Sequence, residues 1–192
     1  MSILFALFPG HQHEKAESQG ISLQPGALWS DLLEPYSGTE KAVFLDSLMA
    51  GGQDGYPAIW RRFIRVGSSL PEQVANLFEL CFEKEYQTVV FADTICAALP
   101  PERLKLFFDS VQEKDIVILP ATDGSVLMLS MQLHLYASWD YFRFYEPAAI
   151  VEILSECHEK EITYAVMETL DPASAEKTVK EILLKKPSRS RN

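Results

Sequence analysis

The segment Thr88-Val89-Val90-Phe91-Ala92-Asp93 constrains this chain more than any other. It is continuous, apolar and rich in β-branched residues, with polar neighbours, the composition of a strand buried on both faces of a largely parallel sheet. Parallel strands need crossover connections, usually helical, and the surrounding sequence supplies them. Ser69-Leu70-Pro71-Glu72 begins a helix, with Ser69 as cap and Val74, Leu77, Phe78, Cys81 and Phe82 on one face. Pro100-Pro101 opens another through Leu104, Phe107, Phe108 and Val111, and Asp115 leads into a strand over 116–119.

The rest of the chain continues this alternation. Ile3 to Phe8 reads as a first strand and Pro9 to Gly26 as a long polar loop. A short helix falls within Trp29 to Leu33. Thr39 is expected to cap a further helix carrying Val43, Phe44, Leu45, Leu48 and Met49. Ala58 to Val66 has the pattern of a half-exposed strand. Val126 to Met131 follows the turn residues Pro120 to Gly124 so closely that it folds back. Residues 147–158, 162–167 and 173–184 read as helix, strand and helix. The expectation is one three-layer α/β/α domain over 1–185, with a mostly parallel sheet and one or two reversed strands. Residues 186–192 are expected to form a flexible basic tail.

A length of 192 residues at 47% apolar content suffices for one real core. The formal charge of -10 repels polyanions and argues against nucleic acid as a partner. No apolar run reaches membrane-spanning length, and three widely spaced cysteines without a C-x-x-C argue against a disulfide framework or zinc site. A reducing cytoplasm is the expected compartment.

In open α/β sheets ligands bind beyond the carboxyl ends of the strands, which singles out Asp93 and Asp123. A carboxylate there can hold a divalent cation bridging substrate phosphates. The alternative is that Asp93 caps the next turn and Asp123 shapes its own. Neither G-x-x-x-x-G-K-S/T nor G-x-G-x-x-G occurs, and no G-x-S-x-G elbow is present. His11 and His13 lack a third metal ligand nearby in sequence. Cys96, just past the strand end, is either a nucleophile or a small buried hydrophobe. Arg61, Arg62 and Arg65 have the guanidinium forks that match phosphate, although ion pairing with carboxylates is the alternative in so acidic a chain. Trp139, Tyr141, Phe142, Phe144 and Tyr145 form an aromatic cluster around Asp140 and Arg143.

Two ordered stretches, Phe91-Ala92-Asp93-Thr94 followed by Leu99-Pro100, and Asp115 to Leu119 followed by Pro120-Ala121-Thr122-Asp123-Gly124, carry a resemblance. The chain resembles the glycosyltransferase-A-like, nucleotide-diphospho-sugar transferase superfamily, in particular its small bacterial branch of selenium-domain-associated transferases. Phe5-Ala6, Leu70 with Glu72, Trp139 and Asp171 extend the likeness over nearly the whole chain. It implies a nucleotide or nucleotide-sugar ligand, with Asp93 near a magnesium or manganese ion and the diphosphate. It also implies Asp123 as the catalytic residue on the acceptor side, with Gly124 beside it.

The departures fall on residues that would meet phosphate. Leu7 stands where the family has a lysine, Gln73 where it has an arginine, and Ser125 and Val126 where it has glycine and tyrosine; the polar turn after Asp93 has become Thr94-Ile95-Cys96. Losing cations that face a diphosphate removes charge-assisted contacts. Three readings follow: a diverged transferase-like protein with weakened or lost activity, an active transferase drawing phosphate contacts from Lys15, Arg61, Arg62 or Arg65, and a non-catalytic interaction protein.

Overall fold

The computed structural model describes residues 2–8, 25–45, 55–136 and 149–185. The loop from Pro9 to Gln24, the aromatic cluster around Asp140 and the basic tail lie outside the described residues. The elements are β1 (Ile3–Phe8), α1 (Pro25–Leu32), β2 (Glu40–Leu45), β3 (Arg61–Ile64), α2 (Leu70–Glu83), β4 (Thr88–Asp93), a 3-10 turn (Thr94–Ala98), α3 (Pro101–Glu113), β5 (Ile116–Pro120), β6 (Val126–Gln132), α4 (Leu133–Tyr136), α5 (Ala149–Glu159), β7 (Tyr164–Val166) and α6 (Pro172–Lys185).

Among the described residues the strands form one seven-stranded sheet in the order β3-β2-β1-β4-β6-β5-β7. β1 is flanked by parallel partners on both sides, and β6 runs antiparallel to both β4 and β5. This is the mostly parallel sheet with a reversed strand that the alternation of elements implies. Gly124, at φ 86°, makes the tight reversal between β5 and β6 possible, because a side chain at this position would meet the left-handed penalty.

Helices cover both faces. Phe5, Leu7, Val43, Val90, Ala92, Val117 and Leu119 point to one side, against Trp29 of α1, Phe107 and Phe108 of α3, and Val179 of α6. Leu4, Ala6, Phe8, Phe44, Val89, Phe91, Ile116 and Ile118 point to the other, against α2 and Ile153 and Cys157 of α5. All six residues of β1 and of β4 are buried, as continuous apolar strands in the centre of a two-sided sheet must be. None of the helices among the described residues is long and apolar enough to cross a membrane.

One expectation is overturned. Glu40–Leu45, read as a helix capped by Thr39, is strand β2, paired in parallel with β1 from Leu4↔Glu40 to Leu7↔Val43. A short continuous apolar run such as Ala42-Val43-Phe44 is buried on both sides in either conformation, so its periodicity does not separate helix from strand. Pairing to β1 decides it. The half-exposed strand within 58–66 is β3, whose mixed burial follows from its place at the sheet edge. Ser69 caps α2 as expected: its Oγ accepts from Glu72 N at 3.4 Å, and Glu72 Oε2 accepts in return from Ser68 N and Oγ, both at 2.7 Å.

Candidate functional site at the carboxyl edge

Six of the strands run in one direction, so their carboxyl ends share an edge, and the antiparallel β6 begins there. Asp93 ends β4 beside Phe8, its register partner at the end of β1. Its side chain caps the 3-10 turn: Oδ1 accepts from Ile95 N at 2.9 Å and from Thr94 Oγ1 at 3.4 Å. Asp93 is only 9% exposed. Burial pushes its carboxyl up from the ordinary 3.8 to about 6, outweighing the opposite pulls of the Ile95 N–H, Thr94 and Arg65.

Arg65 approaches the same edge from just past β3. Its N–H donates to Leu45 O at 2.8 Å, Nε donates to Phe44 O at 3.1 Å, and the guanidinium lies over the Phe8 ring at 4.2 Å. A stacked guanidinium also bonded to a carbonyl keeps its charge while losing rotamer freedom. Phe8 is thus the platform between the cation and Asp93, and sequence reasoning missed it. Nothing local marks Phe8, because its role comes from the long-range pairing of β1 with β2 and β4.

Arg61 is not brought to this edge. It starts β3 at the opposite, amino edge, where Nε lies 2.7 Å from Glu40 Oε2 and the guanidinium 6.0 Å from the Tyr86 ring centroid. Tyr86 donates its hydroxyl to the same Glu40 oxygen at 2.7 Å. Arg62 donates to the backbone carbonyls of Tyr56 and Trp60 at 3.0 and 2.9 Å, fixing the chain that enters β3.

Asp123 and Gly124 do reach the carboxyl edge, in the β5–β6 turn. Two strand positions separate β5 from β4, roughly 10 Å at ordinary strand spacing. Asp123 Oδ1 accepts from Ser125 Oγ at 2.6 Å and Ser125 N at 3.0 Å, contacts that hold its carboxyl below the ordinary range. Gly124 N donates to Ala121 O, and its carbonyl accepts from Ile150 N at 3.2 Å, tying the turn to α5. Nearby Asp171 caps α6, accepting from Ser174 N at 3.0 Å. Cys96 is fully buried with its thiol directed to Leu127 O at 3.5 Å, and burial pushes it well above the ordinary thiol value. That is the setting of a core thiol and not of a nucleophile.

A divalent ion finds a poor donor set here. Asp93 contributes a single, nearly buried carboxylate with one oxygen committed to its cap. No group of three or more His, Cys, Asp or Glu side chains gathers among the described residues. These residues by themselves do not fit a magnesium or manganese ion.

No family model matches the sequence, and comparison with curated proteins likewise finds no match. Solved structures do match. A Desulfovibrio desulfuricans G20 protein described as a nucleotide-diphospho-sugar transferase superposes with TM-score 0.67 at 15% identity, covering 89% of this chain and 82% of that one. This chain has the nucleotide-diphospho-sugar transferase fold. The same fold extends to CMP:2-keto-3-deoxy-manno-octonic acid synthetase, solved with CTP, at TM-score 0.54 and 8% identity over 96% of this chain and all of that one. Rv0371c from Mycobacterium tuberculosis H37Rv, solved with manganese, gives 0.52 and 10% over 96% and 99%. At such identities the likeness concerns the backbone fold alone.

Proposed function

We propose that this chain is a diverged nucleotide-diphospho-sugar transferase-like protein that keeps a nucleotide-sized ligand site at the carboxyl edge while its transferase activity is weakened or lost. One observation carries the reading. Among the described residues, the two charged groups that the fold delivers to the centre of this edge, Asp93 and Arg65, are committed inward: the first as a buried cap, the second stacked on Phe8 and bonded to Phe44 O. Transferring a nucleotidyl or glycosyl group demands groups that meet phosphate in the transition state, and a protonatable, 9%-exposed carboxyl serves that purpose poorly.

The second reading is an active, magnesium- or manganese-dependent transferase with Asp93 near the metal, Asp123 on the acceptor side, and Arg65 with Gly124 lining the ligand. It is favoured by neighbours of the same fold solved with CTP and with manganese. Thermal-shift measurements with nucleoside triphosphates and nucleotide sugars, each with magnesium or manganese, separate the two. The diverged reading expects shifts that do not depend on the metal and survive Asp93→Asn. Metal-dependent stabilisation abolished by Asp93→Asn, accompanied by product formation, would overturn it.

A further inference from the structure

We propose that the free edge of β3 docks an extended basic peptide segment, which adds to the sheet as a further strand and seats an apolar side chain in the groove between β3 and α2. Among the described residues β3 is the last strand on its side of the sheet, with β2 and β1 between it and β4. The site is therefore independent of what Asp93 does at the end of β4.

The main chain supplies the template. Arg65 N donates to Leu45 O, and bonding residues alternate along a parallel ladder, so Phe63 and Arg65 turn their main-chain groups towards β2. Ile64, between them, turns its N–H and C=O outward. Edge strands are commonly guarded by charged side chains, proline or a bulge, because such groups pair with any strand that reaches them. Here the outward residue is an isoleucine, 47% exposed, and Val66 just beyond it is 63% exposed. The arginines that could guard this edge are directed elsewhere. Arg61 pairs with Glu40, Arg62 donates to Tyr56 O and Trp60 O, and Arg65 donates to Phe44 O and stacks on Phe8.

The groove beside the edge defines the partner. It encloses about 330 Å3, with Ile64, Val66, Leu77 and Leu80 as apolar lining and Glu79 and Glu83 as its charged groups. That volume lies within the range of small-ligand sites. Asn76 Nδ2 donates to Val66 O at 2.7 Å and Gln73 Nε2 to Gly67 O at 3.2 Å, so the wall is fixed before anything binds. No Lys or Arg among the described residues lines the groove, and neighbouring Lys84 is directed at the Phe63 ring, 5.9 Å from its centroid. Two carboxylates beside an apolar floor complement lysine or arginine, whose stem covers apolar surface while its head meets Glu79 or Glu83. A second copy of this chain fits worse. Two-fold antiparallel pairing of β3 about Phe63 sets Arg61 of one copy against Arg65 of the other, and directly opposed like charges destabilise a ladder.

The test is fluorescence anisotropy of a fluorescein-labelled hexapeptide, Lys-Thr-Leu-Thr-Lys-Thr, titrated with the full chain. Its lysines and leucine project from one face of a strand. Saturable binding with Kd below about 1 mM is expected. The pair Glu79→Gln and Glu83→Gln is expected to weaken it about tenfold. Ile64→Pro is expected to do the same, since it removes the outward N–H at an edge position that tolerates proline. All three positions are exposed, and circular dichroism checks that the variants fold. N-methylation of the peptide main chain is expected to abolish binding. No binding up to about 1 mM would overturn the proposal, as would equal binding of Glu-Thr-Leu-Thr-Glu-Thr or indifference to both sets of variants. A dimer in sedimentation velocity that Ile64→Pro dissociates would also overturn it, since the edge would then serve a second copy.

Discussion

Replacing Asp93 with asparagine tests how the central carboxyl is held. Asparagine keeps the shape and caps a turn as well as aspartate does, so the Ile95 N–H contact survives and only the ionisation is removed. In the folded chain the Asp93 carboxyl is pushed up to about 6, mainly by burial, against 3.8 ordinarily. The folded state therefore holds this proton more tightly than the unfolded state. Stability from this group is complete below 3.8 and is lost as pH rises through about 6. The difference between the two values corresponds to about 3 kcal/mol at pH 7.5, shrinking to less than about 1 kcal/mol at pH 4. Asp93→Asn is thus expected to be more stable than the parent by up to about 3 kcal/mol at pH 7.5 and nearly equal to it at pH 4. Urea unfolding at the two pH values measures this, and the carboxyls held low at Asp123 and Asp171 cancel in the comparison. A variant less stable than the parent at pH 7.5 would refute the reasoning: an ionised Asp93 would then be favoured, and a cation, not burial, would dominate its surroundings.

Other outcomes follow from the same structure. Thr88→Val removes an unpartnered buried hydroxyl and is expected to raise stability by about 1 kcal/mol in denaturant unfolding. Gly26→Ala sets a methyl 2.4 Å from Gly55 O and 2.6 Å from Tyr56 Cα, backbone that must move, so a loss of about 1–3 kcal/mol is expected in thermal unfolding. Ser69→Ala deletes the cap of α2 at a cost of about 1 kcal/mol by the same measurement. Cys81, Cys96 and Cys157 are buried, with burial raising the first to about 12 and the last to about 11. Native protein is therefore expected to resist a thiol-titrating disulfide reagent at pH 8 and to react at all three positions once unfolded.

Much of the architecture was legible because its signals are local. The β-branched run before Asp93, the Ser69 cap, the Pro101 helix start and the tight turn at Gly124 each act within a few residues, and each has its expected role. Glu40–Leu45 was misread for the complementary reason, since a fully buried apolar run takes its conformation from whatever pairs with it, and its partner β1 lies far away in sequence.

The candidate site divides along the same line. Asp93 and Asp123 were identifiable as strand-end carboxylates, and the alternative capping and turn-shaping contacts expected of them are present. The sequence by itself determined the alternation of strands and helices and hence which residues end the strands. Only the tertiary structure decided that Arg65 stacks on Phe8 near Asp93 while Arg61, four residues earlier, pairs with Glu40 at the opposite edge. Only the tertiary structure buried the Asp93 carboxyl. Charge state and company depend on what surrounds a side chain in three dimensions, and strands joined through crossovers bring together residues that no sequence window contains.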